Sequence, residues 1–313
     1  MCLTCPGVEG HTAARAVSSS VAAHDSARRP KATAYPRFVT AVGQESSVRA
    51  FDGESYFVRI NANRFRPTSH TAGAWSATEQ HFSPIGGLIT HAIERFVAAR
   101  GGDPLVTATI AFDILGTVEL EDFDVRVEVI RPGRTIELLE AVAQAGGRPF
   151  VRARAWRLLL EDTTEVAGGQ PDRLTPPENL EPWPLSSIWP GGYIASLEFR
   201  PVEGPAVGRT TGWIRTPIRL VAGEEVSPLA RFVALVDTAN GIAVRQPPET
   251  LFYPNVDLSI SLYRQPLGVW VGLDTTVVFG ETGQGVTSTT LHDVEGPVGV
   301  AKQTLTIRRR PSS

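Results

Sequence analysis

An α+β fold made of two similar halves, each an antiparallel sheet wrapping one helix, with the two sheets joined edge to edge, is what this sequence predicts. Three observations carry that expectation. A long apolar helical stretch is followed by four strand-like runs, the same order of elements returns after residue 190, and a proline-rich connector separates the two copies. Length agrees, because 313 residues exceed the usual single-domain size and two units follow as the expectation.

Residues 1–48 are rich in Ala, Ser and Arg and show no periodicity, so a disordered extension is expected there. The composition resembles a transit peptide, but Glu9 and Asp25 argue against one. The first half is placed at 49–160. It opens with alternating apolar residues over 55–60, and a Pro/Gly/Thr patch then leads past Trp75 to a helix start. Ser83 is read as the cap and Pro84 as the first helical residue. Ile85, Leu88, Ile89, Ala92, Ile93 and Phe96 recur at helical spacing until Gly101 and Gly102 stop the helix. Strands are expected over 106–115, 123–131, 135–144 and 150–160, with turn signals at Pro132-Gly133 and Gly146-Gly147.

Residues 161–190 hold Pro176-Pro177, Pro182, Pro184 and Pro190, so they are expected to run extended as a connector. The second half is placed at 191–310. Strands are read at 193–199 and 210–220, a helix opens at Ser227-Pro228-Leu229, and strands follow at 255–263, 269–279, 285–292 and 298–308. Ser83-Pro84-Ile85 matches Ser227-Pro228-Leu229 at an offset of 144 residues, and the final strands correspond at an offset of 148. Two helix-plus-meander units bury their helices and their sheet edges together only if each sheet wraps its helix and the sheets join. That arrangement is the double hot-dog.

Composition excludes several function classes. A net charge of -3 gives no global attraction to nucleic acid or an anionic membrane, and no stretch approaches the ~20 apolar residues of a membrane span. Cys2 and Cys5 are the only cysteines, spaced C-x-x-C without another ligand cluster, and are read as free thiols of the tail; a disulfide framework is excluded. The chain has no G-x-S-x-G elbow and no Walker loop. His81, His91 and His292 are scattered, so neither serine hydrolysis nor metal catalysis is indicated.

The informative residues lie in the second half. Asp237 is the only acid in the apolar helical stretch that runs from Arg231 to Gly241, beside the stripe of Val233. A carboxylate there is either a partly desolvated general base or an acid that reaches solvent or caps a backbone group. Its counterpart in the first half is Ile93. Gln303 shares a strand face with Ala301, Leu305 and Ile307, so its amide needs a partner, whether a carboxylate, a water or a loop backbone. Its counterpart is Ala155. Asn255 opens the first strand after the helix and is either a turn residue or a water-holding amide.

The run from Asp237 through Asn255-Val-Asp-Leu-Ser to Ala301-Lys-Gln303 resembles the second hot-dog of the acyl-CoA thioesterase II family. The architectural likeness covers residues 50–310, and the motif is confined to the second half. In that family an Asp on the second helix, a Thr or Ser at the next strand's start and a Gln on the last strand hold the attacking water. Asp237 and Gln303 match, whereas Asn255 departs from the hydroxyl. The resemblance implies direct hydrolysis of acyl-CoA to coenzyme A and a fatty acid, without a cofactor. It also implies an oxyanion role for Gly86 and Gly87, which otherwise serve only close packing of the helix.

Two rivals stand beside this reading. A hot-dog hydratase is disfavoured because no His follows an Asp by five residues. A non-catalytic acyl-CoA-binding or sensor protein is the rival from another class. The expected setting is cytoplasmic, and a homo-oligomer of double hot-dogs is left open.

Overall fold

The computed structural model of the protein describes residues 54–101, 104–204 and 206–310. The extension expected over 1–48, with Cys2 and Cys5, lies outside the described residues.

The first elements are β1 (Ser55–Arg59), β2 (Arg64–Pro67) and an 18-residue helix, α1 (Phe82–Ala99). They lead into a meander of β3 (Leu105–Ile114), β4 (Phe123–Arg131), β5 (Ile136–Ala145) and β6 (Arg148–Leu159). The helix starts two residues earlier than capping by Ser83 predicts. His81 is the N-cap, its ring nitrogen Nδ1 accepting the Ser83 N–H at 3.1 Å, so Ser83 is a buried first-turn residue.

Residues 161–191 carry only short 3-10 turns. A one-turn helix, α2 (Gly192–Ala195), and β7 (Glu198–Pro201) then occupy the segment read as a single strand. The reason is Tyr193, whose hydroxyl bonds Thr238 Oγ1 at 2.7 Å and whose ring is fully buried, a placement that needs the turn. The strand expected over 210–220 divides into β8 (Arg209–Arg215) and β9 (Arg219–Val221). Pro217 interrupts it, and Thr216 Oγ1 instead accepts the Ile218 N–H at 3.1 Å. Next come α3 (Pro228–Val236) and α4 (Ala239–Ile242), followed by β10 (Leu251–Phe252), β11 (Asp257–Leu262), β12 (Val271–Phe279), β13 (Gln284–Asp293), β14 (Gly296–Thr306) and β15 (Arg308–Arg309).

Among the described residues one 13-stranded sheet runs in the order β7-β8-β12-β13-β14-β11-β3-β6-β5-β4-β2-β1-β9, while β10 and β15 pair separately. Its centre is the antiparallel pairing of β11 with β3, Asp257 opposite Asp113 and Ser261 opposite Thr109. At the far edge β9 pairs in parallel with β1, Phe57 opposite Val221. Only three residues lie between Arg215 on β8 and Arg219 on β9, so β9 at one edge comes within ~14 Å of β8, the second strand from the other edge.

The sheet encloses α1 and α3, which pack against one another within a single continuous apolar core that includes Leu88, Ile89, Phe232 and Val233. Gly87 makes that contact feasible: a Cβ there would stand 2.4 Å from Ala234 Cβ and 2.9 Å from the Ala230 carbonyl. No helix among the described residues is long and apolar enough to cross a membrane.

Candidate active site

Asp237 is the C-cap of α3, at the break before α4, and is only 6% exposed. A carboxylate at a helix C-terminus meets the negative end of the helix dipole, so local physics disfavours it. Its side chain is held by two amides from other elements. Asn255 Nδ2 and Gln303 Nε2 both donate to Asp237 Oδ1 at 2.8 Å. Gln303 Nε2 also reaches the Asp237 backbone carbonyl at 3.2 Å, and Asn255 Nδ2 the Asp257 carbonyl at 2.9 Å. Gln303 sits in the middle of β14 at 1% exposure, and Asn255 makes an isolated bridge to Leu305 just before β11. The three candidate residues, spread over 66 positions of sequence, therefore meet at one oxygen.

The environment shapes the carboxyl. Burial raises its pKa to about 6, against the opposing pull of the Asn255 and Gln303 hydrogen bonds. The second oxygen, Oδ2, lies 3.8 Å from Nδ1 of His81. Because Nδ1 accepts from Ser83 N–H, the imidazole proton resides on Nε2, and burial lowers the His81 pKa to about 3, so the ring is neutral. It packs on Tyr193 with ring centroids 4.3 Å apart.

Asp237, Asn255 and His81 line a cavity of about 40 Å³, walled by Trp75 and Trp189. Trp189 is fixed by its Nε1–H to the Gly241 carbonyl at 2.8 Å, and Trp75 meets Trp189, Phe252 and Tyr253 edge to face at 4.7 to 5.2 Å. The larger cleft of about 730 Å³ lies between α1 and strands β4 and β5 and holds none of these groups. Chemically, one carboxylate oxygen is anchored, and the other, beside a neutral imidazole, can act as a base on water.

Gly86 and Gly87, to which the family resemblance gives an oxyanion role, do not line the cavity around Asp237. They are the fifth and sixth residues of α1, past the free amides of the first turn, and their N–H groups fall within the helical ladder. Gly87 is there for the close approach of α3. Sequence reasoning passed over His81, which it read as one of several scattered histidines, and Trp75, which it noted only before the helix.

The twin positions differ in chemistry. Ile93 and Ala155 are fully buried. Glu94, next to Ile93, is also an acid, and it accepts from Ser227 Oγ at the N-cap of α3 at 2.5 Å. Burial raises its pKa as well.

Helices enclosed by a long, mainly antiparallel sheet have the layout of a hot-dog fold, and the family matches add the class, that of thioester-hydrolysing enzymes. Residues 71–158 match the acyl-CoA thioesterase N-terminal domain and residues 171–307 its C-terminal domain, together more than half of the chain. The chain belongs to the acyl-CoA thioesterase II-like family. Among solved structures it is similar to a conserved protein of unknown function with a hot dog fold from Alicyclobacillus acidocaldarius, at 13% identity and TM-score 0.64, over 85% of this chain and 100% of that one. It is also similar to the acyl-CoA thioesterase II TesB2 of Mycobacterium marinum, at 16% identity and TM-score 0.55, over 81% and 96%. A third is the tesB protein of Mycobacterium avium subs paratuberculosis, at 17% identity and TM-score 0.58, over 80% and 96%. No curated protein matches the sequence significantly.

Proposed function

We propose that the chain is an acyl-CoA thioesterase with a double hot-dog architecture, its halves at 49–160 and 191–310 joined by the connector 161–190. It releases coenzyme A and a free fatty acid by direct attack of water. The observation that carries this reading is the pair of amides, Asn255 and Gln303, converging on Oδ1 of Asp237 beside a cavity that the carboxylate itself lines. Asp237 acts through Oδ2 as general base. Asn255 and Gln303 fix the carboxylate and orient the water, and the His81 Nε2–H supplies a donor for the developing oxyanion. Asn255 replaces the hydroxyl that the family carries at this place. Its amide donates to the carboxylate as a hydroxyl would and adds a second bond to the strand backbone.

The test is coenzyme A release from a panel of acyl-CoAs. Because the base must be ionised, kcat/KM is expected to rise about tenfold per pH unit below pH 6 and to level off above about 6, the pKa of Asp237. A profile flat from pH 4.5 to 8 removes Asp237 from the base role. Tight acyl-CoA binding without turnover at any pH would favour the sensor reading instead.

A further inference from the structure

A strand end beside the cavity carries an arginine pattern that the hydrolytic chemistry does not use. Arg308 and Arg309 form β15, paired with β10 so that Phe252 stands opposite Arg308 and Leu251 opposite Arg309. Opposed residues in an antiparallel pair share a face, and alternate residues along an extended chain do too. Arg308 and Arg310 therefore lie on the face of Phe252, and Arg309 on the other. The Arg310 guanidinium bears this out: its Cζ sits 5.8 Å from the Phe252 ring centroid and 5.7 Å from that of Trp75, which walls the cavity. Nε of Arg310 donates to the Pro248 carbonyl at 2.8 Å, which aims the rest of the guanidinium. All three arginines are exposed, and among the described residues neither Arg308 nor Arg310 pairs with a carboxylate.

We propose that Arg308 and Arg310 dock the phosphate groups of the coenzyme A moiety, an inference that rests on the acyl-CoA reading above. The chain as a whole carries a net charge of -3, so a polyanionic substrate has to be drawn by a local patch. Arginine suits that task, since its planar fork binds phosphate oxygens in pairs. The spacing fits as well. Arg308 follows Gln303 by five residues, about 17 Å at the rise of an extended chain, which is comparable with the stretched pantetheine arm that separates a thioester from the diphosphate. Trp75 and Phe252, beneath the Arg310 guanidinium, complete a path from this face to the Asp237 cavity.

The experiment compares two thioesters bearing the same acyl group, one on coenzyme A and one on pantetheine, which lacks the phosphates. Arg308→Ala and Arg310→Ala are each expected to raise KM for the acyl-CoA about tenfold, the scale of one lost charge-assisted contact, with kcat unchanged. KM for the acyl-pantetheine stays within about twofold, and Arg309→Ala leaves both substrates unaffected. Added salt raises the wild-type KM for the coenzyme A ester and no longer does so in the double variant. Equal rises for both thioesters, or no rise for either, overturn the docking role while leaving hydrolysis in place. Arg308→Ala keeps this decisive if Arg310→Ala disturbs the turn that holds Pro248. Failure of the wild type to hydrolyse either thioester would instead sink the acyl-CoA reading itself.

Discussion

At pH 8, Asp237→Asn is expected to hydrolyse acyl-CoA about 10³-fold more slowly than the wild type and yet to unfold at a higher temperature. The rate loss is that of removing a positioned general base, typically 10²- to 10⁴-fold. The stability gain follows from the sign of the pKa shift. The folded state holds the Asp237 proton up to about pH 6, well above the ordinary carboxylate value of 3.8, so it binds more protons than the unfolded chain between those values. Stability contributed by this group is therefore complete below about 3.8, declines as pH rises to about 6, and is fully lost above that. Two pH units correspond to about 3 kcal/mol, of which relaxation and water entry leave roughly 1 to 3 kcal/mol to be recovered when the charge is removed. Asparagine keeps an oxygen at Oδ1 to accept from Asn255 and Gln303. Denaturant unfolding at pH 8 and pH 4 separates the effects: the variant gains at pH 8 and shows no gain at pH 4. A variant less stable at both pH values would mean that the carboxylate is held by net favourable interactions.

The second large effect concerns two adjacent glycines with opposite outcomes. Gly87→Ala sets a methyl 2.4 Å from Ala234 Cβ and 2.9 Å from both Ala234 Cα and the Ala230 carbonyl, atoms that cannot yield without moving α3. The overpacking cost of about 1 to 3 kcal/mol or more outweighs the ~1 kcal/mol that alanine gains over glycine inside a helix. Because Asp237 caps the same helix that must shift, activity falls along with stability. Gly86→Ala meets only the rings of Phe82 and Phe112, at 3.4 Å and 3.8 Å, which is ordinary contact, and the variant is expected to be as stable as the wild type or more so by up to ~1 kcal/mol. Melting temperatures that move together for the two variants would show that α1 and α3 have room to separate.

The long elements were legible because their patterns are strong. The period of α1 and the alternation of β4 and β14 survive any tertiary context, and Gln303 declared itself as the polar residue on an apolar strand face. Other elements were not legible for identifiable reasons. Tyr193 reads as a strand residue by propensity, but its burial against Thr238 is a tertiary demand that bends the chain into a turn. The break at Pro217 could be seen in sequence, whereas the destination of Arg219–Val221, beside β1 on the other half, could not. His81 was missed because a ring nitrogen accepting a backbone N–H imitates a hydroxyl cap, and nothing local distinguishes such a histidine from a surface one. The meeting of Asp237 with Asn255 and Gln303 depends on pairings 18 and 66 residues apart, which residue spacing alone does not reveal.

The parallel pairing of β9 with β1 interlocks the halves in a way that their covalent order conceals. A short ribbon from the later half closes the outer rim of the earlier one, and Phe57, opposite Val221, is wholly buried there. A protease nick in the exposed stretch 161–172 would accordingly yield two pieces that travel together through gel filtration and separate only in denaturant. Neither piece made alone would have its rim covered, so co-expression rather than mixing of finished fragments is the route to a working split protein.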